Sequence, residues 1–305
     1  MNFVRSLTLR QLQIFDCVAQ HLSIARAAEL LHLTQPAVSM QIRQLEQVAE
    51  LSLFDRTGRG LLLTEPGALL LSHARRILGE VKDAQSTVQA MHNHDIGSVT
   101  LGLVSTAKYF APRLVARFAK AHPGIELRFV ESNRDTLLRR LQDNEVDLAL
   151  MGRPPVDLDA VSEPLAPNPH VIAAATDHHL ASARRFDLFE LRDQTFLLRE
   201  PGSGTRQVFE KMCKNHLFEP ARTMVFSSNE TIKQAVMAGL GVSLLSRHTL
   251  SLELRAGEIA VLDVDGTPIE RAWNIVRMNA KRLSPAATLF RRYLLENTAE
   301  YLAGR

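Results

Sequence analysis

Cysteine is nearly absent from this 305-residue chain, which contains only Cys17 and Cys213. Two cysteines so far apart form neither a disulfide framework nor the close spacing of a zinc site. Long apolar runs are also missing, since none approaches the roughly 18 residues needed to cross a membrane. No basic leader with an apolar core opens the chain. We therefore expect a cytoplasmic protein with no bound metal and no membrane partner.

A strong excess of either charge is missing as well. The 36 Lys and Arg residues against 33 Asp and Glu residues leave a formal net charge of only +3. That balance does not by itself identify a nucleic-acid-binding protein. Hydrophobic residues at 46% and charged residues at 23% are ordinary for a globular protein. At roughly 150 residues per domain, the length fits two domains.

What the N-terminal region does contain is a helix-turn-helix pattern. Apolar residues at Leu12, Phe15, Ala19 and Leu22 form one stripe of a first helix. A short second helix follows over residues 24–31. A third begins after Thr34 as its cap, with a proline in the first turn, where N–H groups have no helical partner.

The outer face of the third helix predicts contact with DNA. Gln35, Ser39 and Arg43 recur at i, i+4 and i+8, opposite an apolar face that points inward. The second helix of such a motif enters the major groove, where Gln can pair with adenine and Arg with guanine. The alternative is an ordinary solvated helix face.

A wing is predicted next. Residues 53–56 and 61–64 flank Thr57-Gly58-Arg59-Gly60, which is a β-hairpin pattern. Arg56 and Arg59 would contact phosphates or the minor groove there, although an ion pair with a carboxylate is the alternative for Arg56. The complete set of predicted DNA-binding residues is Ser23, Arg26, Thr34, Gln35, Pro36, Ala37, Ser39, Arg43, Arg56 and Arg59.

Residues 66–92 predict a linker helix that forms a dimer seam. Apolar residues recur along it at alternating spacings of four and three. This heptad period is typical of two copies of one helix packed together. The alternative is an amphipathic helix that packs on its own domain. The seam consists of Leu70, Ala74, Ile77, Val81, Ala84, Val88 and Met91.

The rest of the chain alternates strands and helices, which predicts two α/β lobes with parallel sheets. Four polar segments fall where strands end and helices begin, the usual position of ligands in such folds. Hydroxyls, glycine amides and the cations Lys108, Arg153 and Arg206 suit an anionic metabolite. The predicted effector-binding residues are Ser105, Thr106, Ala107, Lys108, Gly152, Arg153, Gly202, Ser203, Gly204, Thr205, Arg206, Asn229, Glu230 and Thr231.

Simpler structural roles remain open for several of these residues. Ser203 and Asn229 can be helix caps, and Gly202 and Gly204 can serve only a turn. Arg206 can be a surface charge.

Several motifs resemble those of the LysR-type transcriptional regulators. They are Leu9-Arg10-Gln11-Leu12-Gln13-Ile14-Phe15, Ser23-Ile24-Ala25-Arg26-Ala27-Ala28, Leu33-Thr34-Gln35-Pro36-Ala37-Val38-Ser39, Gln44-Leu45-Glu46, Leu53-Phe54-Asp55-Arg56 and Leu63-Thr64-Glu65-Pro66-Gly67.

The resemblance implies an α+β protein, in which a winged helix-turn-helix and a long linker helix precede a two-lobed effector domain. That domain is an α/β fold of the type 2 periplasmic-binding-protein kind. The implied domains are residues 1–65, 66–92 and 93–305. Lobe I would comprise about 97–165 and 266–305, and lobe II about 166–265.

Within the family, residues 105–112, 200–206 and 227–231 look most like the CbbR branch, activators of RuBisCO and Calvin-cycle operons. That branch implies a homodimer or homotetramer on promoter DNA, contact with RNA polymerase, and sugar phosphates, phosphoglycolate or NADPH as effectors, with no cofactor. A regulator of sulfur assimilation is the alternative. A phosphate-binding enzyme is disfavoured because the chain has neither a complete P-loop nor a GxSxG motif.

Overall fold

The computed structural model describes residues 6–57, 60–92 and 96–303. The chain forms two compact units. The N-terminal unit extends to residue 88 and includes residues 142–145, and the C-terminal unit contains the remainder. The N-terminal unit contains α1 (Leu9–His21), α2 (Ile24–Leu30), α3 (Gln35–Ala49), β1 (Phe54–Thr57), β2 (Gly60–Leu63) and most of α4 (Glu65–His92).

Helices α1 to α3 pack around one apolar core. Phe15, Val18, Val38 and Leu45 are fully buried there, because residues three and four apart share one helix face. Each of the three helices begins at a hydroxyl cap, whose oxygen accepts a hydrogen bond from the backbone N–H three residues on. Leu22, predicted on the inner stripe, instead ends α1 in a left-handed conformation and is 42% exposed.

Strands β1 and β2 form the predicted antiparallel hairpin. It is tied to α3 by the carboxylate of Glu46, which accepts hydrogen bonds from the backbone N–H groups of Leu53 (2.9 Å) and Phe54 (3.3 Å). The Phe54 ring packs edge-on against Phe15, with the ring centroids 5.5 Å apart. Gly58 and Arg59 lie outside the described residues, as does the side chain of Arg56.

The apolar residues of helix α4 are buried near its start and exposed farther along. Ala74 is fully buried in the core of the N-terminal unit, and Leu70 packs against that core. Ile77, Val81 and Val88 are 41%, 43% and 56% exposed, and Ala84 is also exposed. Ala74 was therefore wrongly assigned to the seam, because this end of α4 packs beneath its own helix-turn-helix, while Leu70 is half-buried there. The side chain of Met91 lies outside the described residues.

The first lobe of the C-terminal unit is a five-stranded sheet of order β4-β3-β5-β12-β6. Helices α5, α6 and α10 cover it with apolar side chains such as Phe118, Leu137 and Phe290, all fully buried. Its elements are β3 (Gly97–Val104), α5 (Ala111–Ala121), β4 (Ile125–Ser132), α6 (Arg134–Gln142), β5 (Leu148–Met151), β6 (Ala160–Pro167), β12 (Ala272–Met278) and α10 (Pro285–Ala303).

The second lobe is built around strand β7, which is buried along its whole length. Because successive side chains of a strand point to opposite faces, Ile172 and Ala174 enter one apolar cluster and Val171 and Ala173 another. This lobe contains β7 (His170–Ala175), β8 (Thr195–Arg199), α7 (Gly204–His216), β9 (Arg222–Phe226), α8 (Asn229–Met237), β10 (Ser243–Ser246), α9 (Ser251–Ala256) and β11 (Ile259–Leu262).

Two chain segments connect the lobes, one between β6 and β7 and the other between β11 and β12. They run side by side and are hydrogen-bonded to each other. The backbone N–H of Asn168 donates to the carbonyl of Arg271 (2.7 Å), and His170 exchanges two backbone hydrogen bonds with Ile269 (3.0 and 2.8 Å).

The prediction of parallel sheets is correct only in part. Strand β3 is parallel to β4 and β5, and β8 is parallel to β9. Strand β12 is antiparallel to both β5 and β6, and β7 is antiparallel to β10 and β11. These antiparallel strands are the ones that follow or lead into the crossovers, where the chain returns without a helix. Among the described residues, no helix is both long and apolar enough to span a bilayer.

Gly67, in the first turn of α4, is required by a close backbone approach. A Cβ atom at this position would lie 2.2 Å from the carbonyl oxygen of Leu53. We therefore expect Gly67→Ala to lower the free energy of unfolding of the N-terminal unit by about 2 kcal/mol, as overpacking does. Urea denaturation followed by circular dichroism measures this. The exposed neighbour offers a control in Ala68→Ser, and equal effects of the two substitutions would contradict the argument.

Candidate functional site

A cavity opens between the two lobes of the C-terminal unit, with a volume of about 460 Å³ including its mouth. The first lobe contributes the ends of β3, β4 and β5, and the second contributes the start of α7. Its walls are formed by Val104, Ser105, Thr106, Asn133, Arg134, Met151, Gly152, Arg153, Asn168, His170, Ser203, Gly204, Thr205, Val208 and Arg271.

The cavity concentrates positive charge. Arg134, Arg153 and Arg271 all line it, and no carboxylate is among the described residues of its wall. Burial and the neighbouring charge of Arg153 lower the pKa of Arg134, and burial followed by Arg153 and Arg134 lowers the pKa of Arg271. Like charges held this close favour the binding of an anion.

Arg134 is only partly neutralised by its surroundings. Its Nη1 lies 3.4 Å from the half-exposed carboxylate of Asp135 and its Nη2 lies 3.5 Å from the carbonyl of Pro154. Its buried Nε has no hydrogen-bond partner among the described residues. A buried donor without a partner is costly, so this atom too favours a bound acceptor.

Half of the predicted effector-binding residues line the cavity. Ser203 precedes α7, but its hydroxyl makes no capping bond to the helix, so helix capping does not account for this buried serine. The residues that the structure brings together are Ser105, Thr106, Gly152, Arg153, Ser203, Gly204 and Thr205.

The other predicted residues lie outside the cavity wall. Lys108 is paired with Glu131 (3.2 Å) and Arg206 with Glu210 (2.7 Å), so these two cations are not the charges of the cavity. Ala107 is fully buried, Thr231 is exposed, and Gly202 adopts φ +83° in the turn before α7.

Asn229 and Glu230 are used in a buried polar network instead. The Arg199 guanidinium, 3% exposed, donates from Nη1 to Asn229 Oδ1 (2.6 Å) and to Ser105 Oγ (2.9 Å), and it is paired with Glu200 (2.7 Å). Glu230 pairs with the buried Lys233 at 3.1 Å. Since Ser105 belongs to the first lobe and Arg199 to the second, this network joins the lobes beside the cavity.

Sequence reasoning missed two arginines of the cavity, Arg134 and Arg271. Arg134 could have been predicted from the sequence, because it follows β4 in the same way that the predicted segments follow their strands. Arg271 precedes β12, and it reaches the cavity only because β12 is antiparallel to β5, so that its start lies beside Gly152. The sequence contains no signal for that pairing.

The outer face of α3 is a candidate nucleic-acid interface. Gln35, Pro36 and Arg43 are exposed, and Ala37 and Ser39 are half-buried. A shallow surface groove along the helix also includes Met40, 53% exposed, which sequence reasoning missed. The hydroxyls of Ser23 and Thr34 cap α2 and α3, and Arg26 pairs with Glu29 at 2.8 Å.

The Arg199 network gives a stability prediction. Arg199→Met would leave Asn229 and Glu200 without their buried partner, and we expect a loss of about 3 kcal/mol in the free energy of unfolding. Arg128→Met removes an exposed ion pair with Glu126 and should cost less than about 1 kcal/mol. Chemical denaturation of the two variants tests the difference. Losses of similar size would show that the network is not a main source of stability.

Comparison with known proteins gives the family. Residues 9–68 match the family model described as "Bacterial regulatory helix-turn-helix protein, lysR family", and residues 92–299 match "LysR substrate binding domain". Together they cover most of the chain and both of its units.

Two relatives and one solved structure illustrate the similarity. The transcriptional regulator CfxR of Cupriavidus necator is 64% identical, covering 99% of this chain and 95% of CfxR. A RuBisCO operon transcriptional regulator of Allochromatium vinosum is 44% identical, covering 96% and 97%. The regulatory domain of Synechocystis CcmR in complex with 2-PG is 37% identical, with a TM-score of 0.62, covering 66% of this chain and 97% of that structure.

These matches confirm the predicted fold, a winged helix-turn-helix followed by an effector domain, and they confirm a regulator rather than an enzyme. The resemblance seen in the motifs is likewise confirmed. The chain belongs to the LysR family of transcriptional regulators.

Proposed function

We propose that this regulator activates carbon-fixation genes of the RuBisCO and Calvin-cycle type in response to a small anionic metabolite bound between the lobes of the C-terminal unit. The observation that carries the proposal is the cavity lined by Arg134, Arg153 and Arg271 and by no described carboxylate. The names of the relatives favour carbon fixation over the alternative of sulfur assimilation. Action on chromosomal DNA fits a cytoplasmic protein.

The effector we favour is a phosphorylated small acid or sugar. The regulatory domain of Synechocystis CcmR was solved with 2-PG bound, which supports phosphoglycolate before NADPH. Three guanidinium groups suit phosphate and carboxylate oxygens, because each guanidinium can donate two parallel hydrogen bonds. The hydroxyls of Ser105, Thr106, Ser203 and Thr205 would add further donors.

On the DNA side, we propose that α3 reads base edges through Gln35, Ser39 and Arg43, with Arg56 and Arg59 of the wing on the backbone. Ser23 and Thr34 act mainly through the capping that orients α2 and α3. We assign the domains as residues 1–65, 66–92 and 93–305. A homodimer presents two copies of α3 to two half-sites, and a homotetramer on the promoter would contact two such regions.

Effector binding is tested directly by titration with 2-phosphoglycolate. Arg271→Gln removes one charge-assisted contact, so we expect affinity to fall at least about tenfold. Arg255→Gln changes an exposed arginine of α9 and should leave affinity unchanged. Isothermal titration calorimetry at constant ionic strength gives the values. Footprinting of promoter DNA upstream of RuBisCO genes, with and without the ligand, should show a changed protected length. An unchanged footprint and no heat of binding would rule the proposal out.

The dimer seam is tested at Val81, which lies in the exposed apolar part of α4. Val81→Asp would place a charge between the two helices, and we expect the dimer to dissociate at micromolar concentration. The matched control is Thr87→Asp, which adds the same charge at an exposed position off the seam. Sedimentation equilibrium distinguishes monomer from dimer. A Val81→Asp protein that still sediments as a dimer would place the interface elsewhere.

A further inference from the structure

A buried imidazole lines the anion cavity. His170 begins β7, is 4% exposed, and contributes to the cavity wall. Its backbone N–H and carbonyl both bond to Ile269 on the second crossover, at 3.0 and 2.8 Å. The ring is therefore held by both segments that connect the lobes.

Hydrogen bonding fixes the tautomer of this ring. Nδ1 lies 3.1 Å from the backbone carbonyl oxygen of Asn168. A carbonyl can only accept, so Nδ1 must carry the proton. Burial lowers the pKa of His170 to about 4, and the nearby charge of Arg271 acts in the same direction, so the ring is neutral near pH 7. Nε2 then has a free lone pair and is a hydrogen-bond acceptor.

The polar side chains around His170 mostly present donors. The three arginines can only donate. The amide oxygen of Asn133 accepts from the Thr136 N–H (3.0 Å), and that of Asn168 accepts from the Ser246 hydroxyl (2.7 Å). Ser105 Oγ accepts from Arg199, so its proton is free to be donated. The hydroxyls and amide oxygens of the wall can accept as well, but among the described residues no donor is hydrogen-bonded to Nε2 of His170.

We propose that His170 is a specificity-determining residue that accepts a hydrogen bond from a hydroxyl group of the effector. The inference rests on the proposed anion site and predicts that phosphorylated hydroxy acids, which also carry an O–H donor, bind there more tightly than phosphoglycolate, which has no free hydroxyl. A ligand without that hydroxyl leaves a buried acceptor unpaired, and sites built for a hydroxyl discriminate strongly against analogues that lack it.

Two probes that differ by one hydroxyl test this proposal, namely 3-phosphoglycerate and 3-phosphooxypropanoate. We expect the full-length protein to bind the hydroxylated probe at least about tenfold more tightly. His170→Gln keeps an acceptor oxygen and should keep most of the preference. His170→Phe removes the acceptor and should bring the two affinities within about threefold of each other.

A spectroscopic measurement does not depend on the stability of the variants. In protein labelled with ¹⁵N-histidine, the Nε2 resonance of His170 should have the shift of an unprotonated nitrogen and should move when 3-phosphoglycerate binds, but not when its analogue binds. His170→Gln assigns the resonance by its loss.

The outcomes separate this inference from the proposed function. Equal affinity of the two probes for the wild-type chain, or a protonated Nε2 in the free protein, would overturn the role of His170 and leave the anion site in place. Failure of both probes and of 2-phosphoglycolate to bind would overturn the anion site and the role of His170 with it.

Discussion

Mutual repulsion among three arginines is the constraint around which the C-terminal unit is organised. Arg134 and Arg153 follow strands of the first lobe and Arg271 ends the second crossover, while the second lobe closes the cavity with the hydroxyls and amides at the start of α7. Without an anion, bringing the lobes together desolvates charges of one sign. A bound anion would attract all three guanidinium groups and so offset their mutual repulsion. A ligand shifts a two-state equilibrium only through its different affinity for the two states, and an anion bound among these arginines would have such a difference.

Two sets of side-chain contacts join the lobes of the C-terminal unit. The Arg199 network joins the lobes with buried charges that are already paired, so it holds them together whether or not a ligand is present. Arg153 also reaches across, with Nη1 lying 3.4 Å from the side-chain oxygen of Gln207 on α7. Ser105 and Arg153 thus belong both to the contacts between the lobes and to the wall of the cavity.

Local patterns in the sequence were sufficient for the elements of the N-terminal unit and for the alternation of strands and helices in the C-terminal unit. Helix periodicity, hydroxyl caps and glycine-rich turns gave α1 to α4 and the wing hairpin, because these features depend on residues close in the chain. The polar segments after β3 and β5 and before α7 were also within reach, because strand ends meet at one edge of a parallel sheet. Local patterns could not predict contacts between residues that lie far apart in the chain. The neutralisation of Lys108 by Glu131, 23 residues away, and the arrival of Arg271 beside Gly152 depend on tertiary structure alone.

Helix α4 is part of the helix-turn-helix core at its start and carries an exposed apolar stripe farther along. Ala74 is sealed inside the helix-turn-helix core one turn before Ile77 becomes exposed. No flexible joint therefore separates the helix-turn-helix core from the exposed part of α4. If two copies of α4 pair, the distance between their two α3 helices is fixed. A signal can then alter DNA contact only by moving a whole helix-turn-helix together with its α4, not by changing the conformation of α3 alone.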